Sequence, residues 1–454
     1  MSNKYDLVIL GGGPAGYIPA IRAAQLGQKV AVIEKDAMGG VCLNRGCIPT
    51  KTLVASASLY KHAAMAKKFG LQGSLDFDYA SIAKRKDMVV TRLRKGIEAH
   101  FKHMKIEIVR GHGNLKSADL IDVEGRELQA RNILLSPGSV PMLPGFMNHD
   151  GVLTSREILA MDTLPESLII IGGGVIGCEF ASIMASFGVK VSIVEMLSSI
   201  LPGVDADVAA VVLKALKKAK VKIHTGQPAE NVNISQDEAS VTLGDGTIIT
   251  AHKLLVAIGR KSRTADSGFE AAGIAMDEKG NIITDDNNRT NLKNVFAAGD
   301  ATGKWQLAHA GSAQGISAVH EMFDAAPRKI NVDAMSNCIF TFPEVAMVGP
   351  GEDEWRERGV KVRTSTSRYI ANGKAMGMNE TEGFVKLICK EQDDTIIGVQ
   401  AVGADASSLT GWAVMAVNAG IKASDAAGYI HPHPTLSELF MEASEGMGYG
   451  AIHG

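Results

Sequence analysis

Two thiols five residues apart, Cys42 and Cys47, stand in the run Cys42-Leu43-Asn44-Arg45-Gly46-Cys47. A complete dinucleotide fingerprint precedes them by a few residues. It reads Gly11-Gly12-Gly13-Pro14-Ala15-Gly16 and is entered from the apolar run Leu7-Val8-Ile9-Leu10. An acidic residue, Glu34, closes it at the end of a second apolar run, Val30-Ala31-Val32-Ile33. In such a fingerprint Gly11 makes the tight turn, Gly13 lets the backbone approach a pyrophosphate, and Gly16 lets helix pack on strand. The helix N-terminus then offers unpaired N–H groups and a positive dipole end to the phosphates. Thiols so close to a nucleotide site imply electron transfer between a redox cofactor and a disulfide.

The spacing of the thiols constrains their geometry. In an undistorted α-helix their Cα atoms would lie about 8–9 Å apart, whereas a disulfide needs less than about 7 Å. A bridge therefore requires a bent or overwound turn, which Gly46 would ease, and such strain makes a disulfide easier to reduce. Two reduced cysteines packed beside the nucleotide are the alternative. A metal pair lacks a second cysteine or histidine pair nearby. Lys51 follows Cys47 by four residues, one helical turn, where a cation lowers a thiolate pKa; in isolation it would read as a solvated helix lysine. Farther along, Gly428-Tyr429-Ile430-His431-Pro432-His433-Pro434-Thr435-Leu436-Ser437-Glu438 holds two imidazoles and a carboxylate. Pro434 suits the first turn of a helix, which would place Glu438 about one turn further on. A carboxylate beside an imidazole fixes its tautomer and raises its basicity, as a general base needs. Spacing alone leaves His431 and His433 equal.

These groups need a scaffold. Strand, glycine turn and helix alternate along the chain, the pattern of an α/β architecture with parallel sheets. It occurs twice. Leu168-Ile169-Ile170-Ile171 leads into Gly172-Gly173-Gly174-Val175-Ile176-Gly177, a helix runs to about Phe187, and the strand from Val189 ends in Glu195. Glu34 lies 18 residues beyond Gly16, and Glu195 lies 18 beyond Gly177. One fingerprint is weak evidence, but two with matching acidic residues are strong. Glu195 would repel a 2′-phosphate, and no arginine follows it through Ser199, so the second site favours NAD over NADP. From about Met335 the pattern changes to mixed α+β strands, Phe384 to Ile388 and Ile396 to Val402, with no phosphate fingerprint. Cys178, Cys338 and Cys389 lie in apolar surroundings and read as core fillers.

At 454 residues the chain has room for two to four domains. Its 47 Lys and Arg against 49 Asp and Glu give a net charge of −2, a balance that calls for neither nucleic acid nor an anionic membrane surface. The start, Met1-Ser2-Asn3-Lys4, lacks a signal peptide's layout, and no apolar run approaches about 18 residues. Five cysteines are too few and scattered for a secreted disulfide scaffold. The expectation is a cytoplasmic protein.

Assembled, these residues resemble the pyridine nucleotide–disulfide oxidoreductases over essentially the whole chain, and within that family the branch that oxidises dihydrolipoamide. Gly39-Gly40-Val41-Cys42 through Cys47-Ile48-Pro49-Thr50-Lys51 is similar to the family's redox motif. Thr290 through Ala297-Ala298-Gly299-Asp300 resembles its second flavin motif, and Leu307-Ala308-His309 the segment after it. Ala257-Ile258-Gly259-Arg260 is similar to the motif joining the two nucleotide domains. Phe342-Pro343-Glu344-Val345-Ala346 resembles the start of the interface domain, and His433 to Glu438 the histidine–glutamate motif. The resemblance implies two Rossmann-like domains for FAD and NAD plus a C-terminal α+β dimerisation domain. Residues 1–144 and 266–334 would form the FAD-binding and central part, 145–265 the NAD-binding domain and 335–454 the interface domain.

It further implies a homodimer in which FAD, Cys42 and Cys47 of one subunit face His433 and Glu438 of the other. Cys42 would exchange with substrate and Cys47 would sit beside the flavin. Lys51 would lie near the flavin and pair with Glu179, while Gly113, Asp300 and Ala308 would contact FAD. Gly11, Gly13, Gly16 and Glu34 would hold FAD, and Gly172, Gly174, Gly177, Glu195 and Gly259 would hold NAD. Dihydrolipoamide would lose a proton to His433 and attack Cys42, and the electrons would pass through FAD to NAD. The implied partner is a lipoyl-bearing acyltransferase or glycine-cleavage carrier protein.

The chain departs from the family pattern at Ser136-Pro137-Gly138-Ser139, at Lys261-Ser262-Arg263-Thr264 and at Pro432, none of which removes a reacting group. A glutathione-directed member would need arginines after the second fingerprint, a mercury-directed one extra C-terminal cysteines, and a transhydrogenase usually lacks the thiol pair. A purely scaffolding role in a multienzyme complex would leave Cys42, Cys47 and His433 without a task.

Overall fold

The computed structural model describes residues 4–235 and 238–453. Three sheets carry the architecture, each built where the sequence concentrates short apolar runs. In the first, the strands Glu107–Arg110, Val30–Glu34, Lys4–Leu10 and Arg126–Leu135 pair in parallel. Leu120–Val123 and Gly113–Ser117 extend it antiparallel. Val295–Ala297 returns from far along the chain to pair with Arg126–Leu135. Leu10 is in register with both Ile33 and Leu135, so three strand ends open at one level. Ligands of open α/β sheets bind at such carboxyl ends.

The second sheet repeats the device. Lys222–Thr225, Lys190–Glu195, Ser167–Ile171, Lys253–Val256 and Val152–Leu153 are parallel throughout. Ile171 is level with Val194 and Val256. An antiparallel ribbon of Ser139–Pro141 and Arg260–Ser262 ties the two halves together. The third sheet, wholly antiparallel, runs Ser336–Ile339, Glu344–Val348, Ile396–Gly403, Phe384–Lys390, Val362–Arg368. Helices Ala406–Ala419 and Glu438–Gly448 pack on it.

The helix Cys47–Ala64 is the hub. Its Leu53, Val54 and Ala57 share one buried cluster with Phe180 and Ile183 of the second sheet's helix Val175–Ser186, and with Ile339, Val345 and Val402 of the third sheet. Burying this much apolar side chain, at about 1.5–3 kcal/mol each, fixes the thiol-bearing helix against both neighbours. Lys386 adds a buried polar tie: its Nζ lies 2.7 Å from Asp205 and 2.8 Å from Asp207. Among the described residues no helix is long and apolar enough to cross a membrane. Met1, Ser2 and Asn3 of the start lie outside them.

A candidate redox site between two nucleotide cradles

One cavity of about 1280 Å³ runs past both glycine fingerprints and the two thiols. Its first end is built by Gly11, at φ +110°, where a Cβ would lie 2.1 Å from the carbonyl oxygen of Ser136. Glycine is obligatory there. Gly13 caps the helix Pro14–Gln25 without any side-chain hydrogen bond, leaving the helix end open toward the cavity. Gly16 is a packing position, its missing Cβ falling 1.8 Å from the Gly11 carbonyl oxygen. The second end repeats this: Gly172 at φ +107°, Gly174 as an uncapped N-cap, and Gly177 with 2.0 Å to the Gly172 oxygen.

The two acidic residues are also fixed in the same way. Glu34 accepts the Gly12 N–H at 2.9 Å and the Asp36 N–H at 2.8 Å, and burial pushes its carboxyl above the usual range. Glu195 accepts the Gly173 N–H at 2.7 Å and the Leu197 N–H at 2.8 Å. Two uncapped helix ends and two anchored carboxylates in one cavity fit a pair of dinucleotides, with phosphates at the helix N-termini and riboses at the glutamates.

Gly113, Asp300, Ala308 and Gly259 also line the cavity. Asp300 bonds Ser139 Oγ, which in turn accepts Arg260 Nε at 2.8 Å. Both departures in the linker motifs are thereby absorbed: Ser136 Oγ donates to the Leu10 and Gly11 carbonyls, and Ser262 Oγ donates to the Asp300 carbonyl at 2.9 Å. Ser139 and Arg260 were legible only as parts of motifs. Gln314, whose Oε1 accepts the Gly299 N–H at 2.8 Å, gave no sequence signal.

The thiols sit at the centre. Gly40–Arg45 and Cys47–Ala64 are separate helices, broken at Gly46 with φ −148° and ψ −115°. The bend that a bridge requires is thus realised as a break at Gly46, and Cys47 opens a new helix. Cys47 is lowered to about 7 by a hydrogen bond from Cys42 and by the charge of Lys51. Cys42 is pushed up by the same bond and by burial. The bond between the two thiols and the charge of Lys51 together favour loss of one proton from the pair, as a redox pair requires.

Lys51 Nζ donates to both carboxylate oxygens of Glu179 at 2.9 Å. The Phe340 N–H reaches the same carboxylate at 2.9 Å, and the Phe340 ring lies 4.5 Å from Nζ. Sequence reasoning missed Phe340, because nothing local marks a residue that acts through its backbone and ring face. Lys51 comes from the thiol-bearing helix, Glu179 from the helix Val175–Ser186, and Phe340 follows the third sheet's first strand.

His433 and Glu438 lie outside this cavity, on the C-terminal unit. His433 Nδ1 is 2.8 Å from Glu438 Oε1, and Glu438 Oε2 accepts the Thr435 N–H at 2.8 Å. Burial opposes the charge on Glu438, but the bonds from Thr435 and His433 hold it below the usual range. The imidazole is exposed. His431 instead leans on Trp412, with ring centroids 6.4 Å apart, and burial lowers its pKa. The expected helix start at Pro434 is not observed, since the helix runs Glu438–Gly448. Thr435 Oγ1 bonds the Pro432 carbonyl and Ser437 Oγ, local bonds that compete with a first turn. Among the other cysteines, Cys178 and Cys389 are buried, while Cys338 is half-buried and lines the cavity.

Comparison with known proteins agrees with this geometry. The family model described as pyridine nucleotide-disulphide oxidoreductase matches residues 5–315, and that family's dimerisation domain matches residues 335–444. The chain is 37% identical over 455 residues to a protein of Chlamydia pneumoniae named dihydrolipoyl dehydrogenase, covering 98% of this chain and 97% of the relative. It is 38% identical to one of the same name from Geobacillus stearothermophilus, covering 97% and 95%. Among solved structures, LpdA from Mycobacterium tuberculosis aligns with a TM-score of 0.92 at 29% identity, covering 97% of this chain and 99% of that one. The HOCl-induced flavoprotein disulfide reductase RclA from Escherichia coli aligns at 0.87 and 30% identity, covering 97% and 99%. With its two cradles, thiol pair and C-terminal sheet in that family's order, this chain belongs to the pyridine nucleotide-disulphide oxidoreductase family.

Proposed function

We propose that this protein is a dihydrolipoyl dehydrogenase, oxidising protein-bound dihydrolipoamide to lipoamide with NAD⁺ as acceptor. It is a homodimer that uses FAD and NAD. The observation that carries the reading is the Cys42–Cys47 pair, one turn from the Lys51–Glu179 clamp and inside the cavity joining the two cradles. The substrate follows from relatives named for that reaction at 37% and 38% identity over nearly full length.

The roles of the residues follow from their chemistry. Glu438 holds Nδ1 of His433 as the protonated nitrogen, leaving Nε2 to take a proton from a substrate thiol. In the dimer this imidazole faces the partner's thiol pair. The substrate thiolate attacks Cys42 Sγ of the oxidised pair and displaces Cys47 as thiolate. The second substrate thiol then attacks its own bridged sulfur, closes the dithiolane and leaves Cys42 as a thiol. Two electrons and two protons have left the substrate. Lys51 stabilises the Cys47 charge. FAD and NAD, when bound, supply the relay that ends with a hydride on the nicotinamide. Gly11, Gly13, Glu34, Gly113, Asp300 and Ala308 would hold the first nucleotide; Gly172, Gly174, Glu195 and Gly259 would hold the second.

In this reading residues 1–144 and 266–334 form the FAD-binding and central part, 145–265 the NAD-binding domain and 335–454 the interface domain. The carrier is a lipoyl-bearing acyltransferase or glycine-cleavage protein in the cytoplasm. Purified protein given dihydrolipoamide with NAD⁺ or NADP⁺ tests the proposal. NADH formation with NAD⁺ alone supports it, and loss of that turnover in Cys47→Ser assigns the thiols. Turnover of another disulfide with none of dihydrolipoamide would overturn it.

A further inference from the structure

The helix Tyr79–His103 has a charge out of keeping with the rest of the chain. Its 25 residues hold seven Lys and Arg against two carboxylates, so the helix carries +5 while the whole chain carries −2 and everything else therefore −7. Neither carboxylate neutralises the outer face. Asp87 pairs with the buried Lys86, and Glu98 pairs with Arg110. Lys84, Arg85, Arg92, Lys95 and Lys102 are exposed, and no acidic side chain among the described residues pairs with them. Arg85, Arg92, Lys95 and Lys102 recur at helical spacing around the exposed Met88, forming one stripe about 26 Å long at 1.5 Å per residue.

The stripe belongs to the redox scaffold. This helix packs against both Gly40–Arg45 and Cys47–Ala64, the helices that carry the thiols. Exposed Leu59, Phe69, Leu71 and Leu75, with Lys67 and Lys68, continue the surface from the end of the thiol-bearing helix. A second copy of this chain is a poor occupant, because a twofold contact would set the +5 helix against itself.

We propose that this basic face captures the protein domain that carries the dithiol, through an acidic surface on that domain, and so steers it to Cys42. The inference rests on the function proposed above and names the chemistry of its partner. Opposed charges of this kind act chiefly on the rate of encounter. Raising the ionic strength from about 0.01 M to about 0.15 M shortens the screening length from about 30 Å to about 8 Å. The whole stripe acts together at the lower value and only neighbouring residues do at the higher.

The test compares two substrates on the holoenzyme: free dihydrolipoamide, which is uncharged, and a recombinant reduced lipoylated carrier domain with an acidic surface. For the carrier, kcat/KM should fall about tenfold or more over that salt range, against less than about twofold for free dihydrolipoamide. Arg85→Glu/Arg92→Glu/Lys95→Glu should remove the salt response and lower carrier turnover at low salt by about tenfold, leaving free dihydrolipoamide turnover unchanged. Glutamate keeps helix propensity, and the Gln triple variant guards against a folding effect. Amidating the carrier's carboxylates should abolish the advantage from the other side. Equal salt responses for the two substrates, dissociation of the dimer by the triple variant, or duplex nucleic acid binding with no change in carrier turnover would each overturn the inference. Absence of free dihydrolipoamide turnover would instead overturn the function on which it rests.

Discussion

Removing the charge of Lys51 or of Glu179 should move the Cys47 thiolate in opposite directions. Lys51 stands one turn beyond Cys47, about 6 Å away at helical spacing, and the coupling at an effective dielectric of about 20 is about 2.8 kcal/mol, or about two pH units. The Glu179 carboxylate lies 2.9 Å beyond the ammonium, and at about 9 Å it opposes with about 1.8 kcal/mol, or about 1.3 units. Wild-type Cys47 stands at about 7. Lys51→Gln should therefore titrate near about 9 and Glu179→Gln near about 6. At about pH 7.5 the thiolate fraction would be about three quarters in wild type and about 3% in Lys51→Gln. The assay is the pH dependence of far-ultraviolet thiolate absorbance and of alkylation rate in the reduced apoprotein, with Lys51→Arg as the variant that should restore the wild-type curve. Shifts of the same sign in the two variants, or no shift in either, would refute the electrostatic account of this site.

Other outcomes are equally definite. His433→Gln should cut kcat about 10²–10⁴-fold, and Glu438→Gln, which keeps a hydrogen-bonding group but loses the charge, about 10-fold to 100-fold in steady-state assays. Gly16→Ala should cost retention of FAD, judged by the flavin-to-protein absorbance ratio, because its Cβ would lie 1.8 Å from the Gly11 oxygen. Gly177→Ala, with 2.0 Å to the Gly172 oxygen, should spare the yellow colour and weaken NAD binding in titration calorimetry. Lys386→Met leaves Asp205 and Asp207 without their cation and should destabilise by about 3–5 kcal/mol in chemical denaturation. Burial pushes the Lys386 ammonium down, but its bonds to Asp205 and Asp207 outweigh this and raise it above 10.5. Its contribution should therefore be intact below that value and fade only as pH rises through the folded-state pKa.

Much of this site is legible in the sequence. Fingerprints work from sequence because their physics is local. A glycine whose Cβ would strike the backbone of the next strand, and a glutamate whose oxygens bond N–H groups of its own loops, leave a mark at fixed spacing. The thiol pair and the bend at Gly46 were legible for the same reason, although no spacing rule tells a bent helix from two helices. The choice between His431 and His433 depended on which ring the Glu438 carboxylate reaches, and that is set by the turn through Thr435. The helix starts at Glu438 and not at Pro434, because side-chain bonds of Thr435 override an N1 preference. Phe340 and Gln314 were out of reach altogether. Their contacts, with Glu179 and Gly299, join segments 161 and 15 residues apart through single backbone N–H groups.

The Lys51 clamp has a consequence for the order in which the chain matures. Cys42, Cys47 and Lys51 emerge early in synthesis, whereas Glu179 and Phe340, which fix the ammonium, come much later. Until the later segments dock, the lysine has no fixed place and its charge meets no carboxylate to temper its pull on the nearby sulfur. Closure of the fold therefore sets the final balance at the sulfur, fixing the cation in place and adding the carboxylate that moderates it.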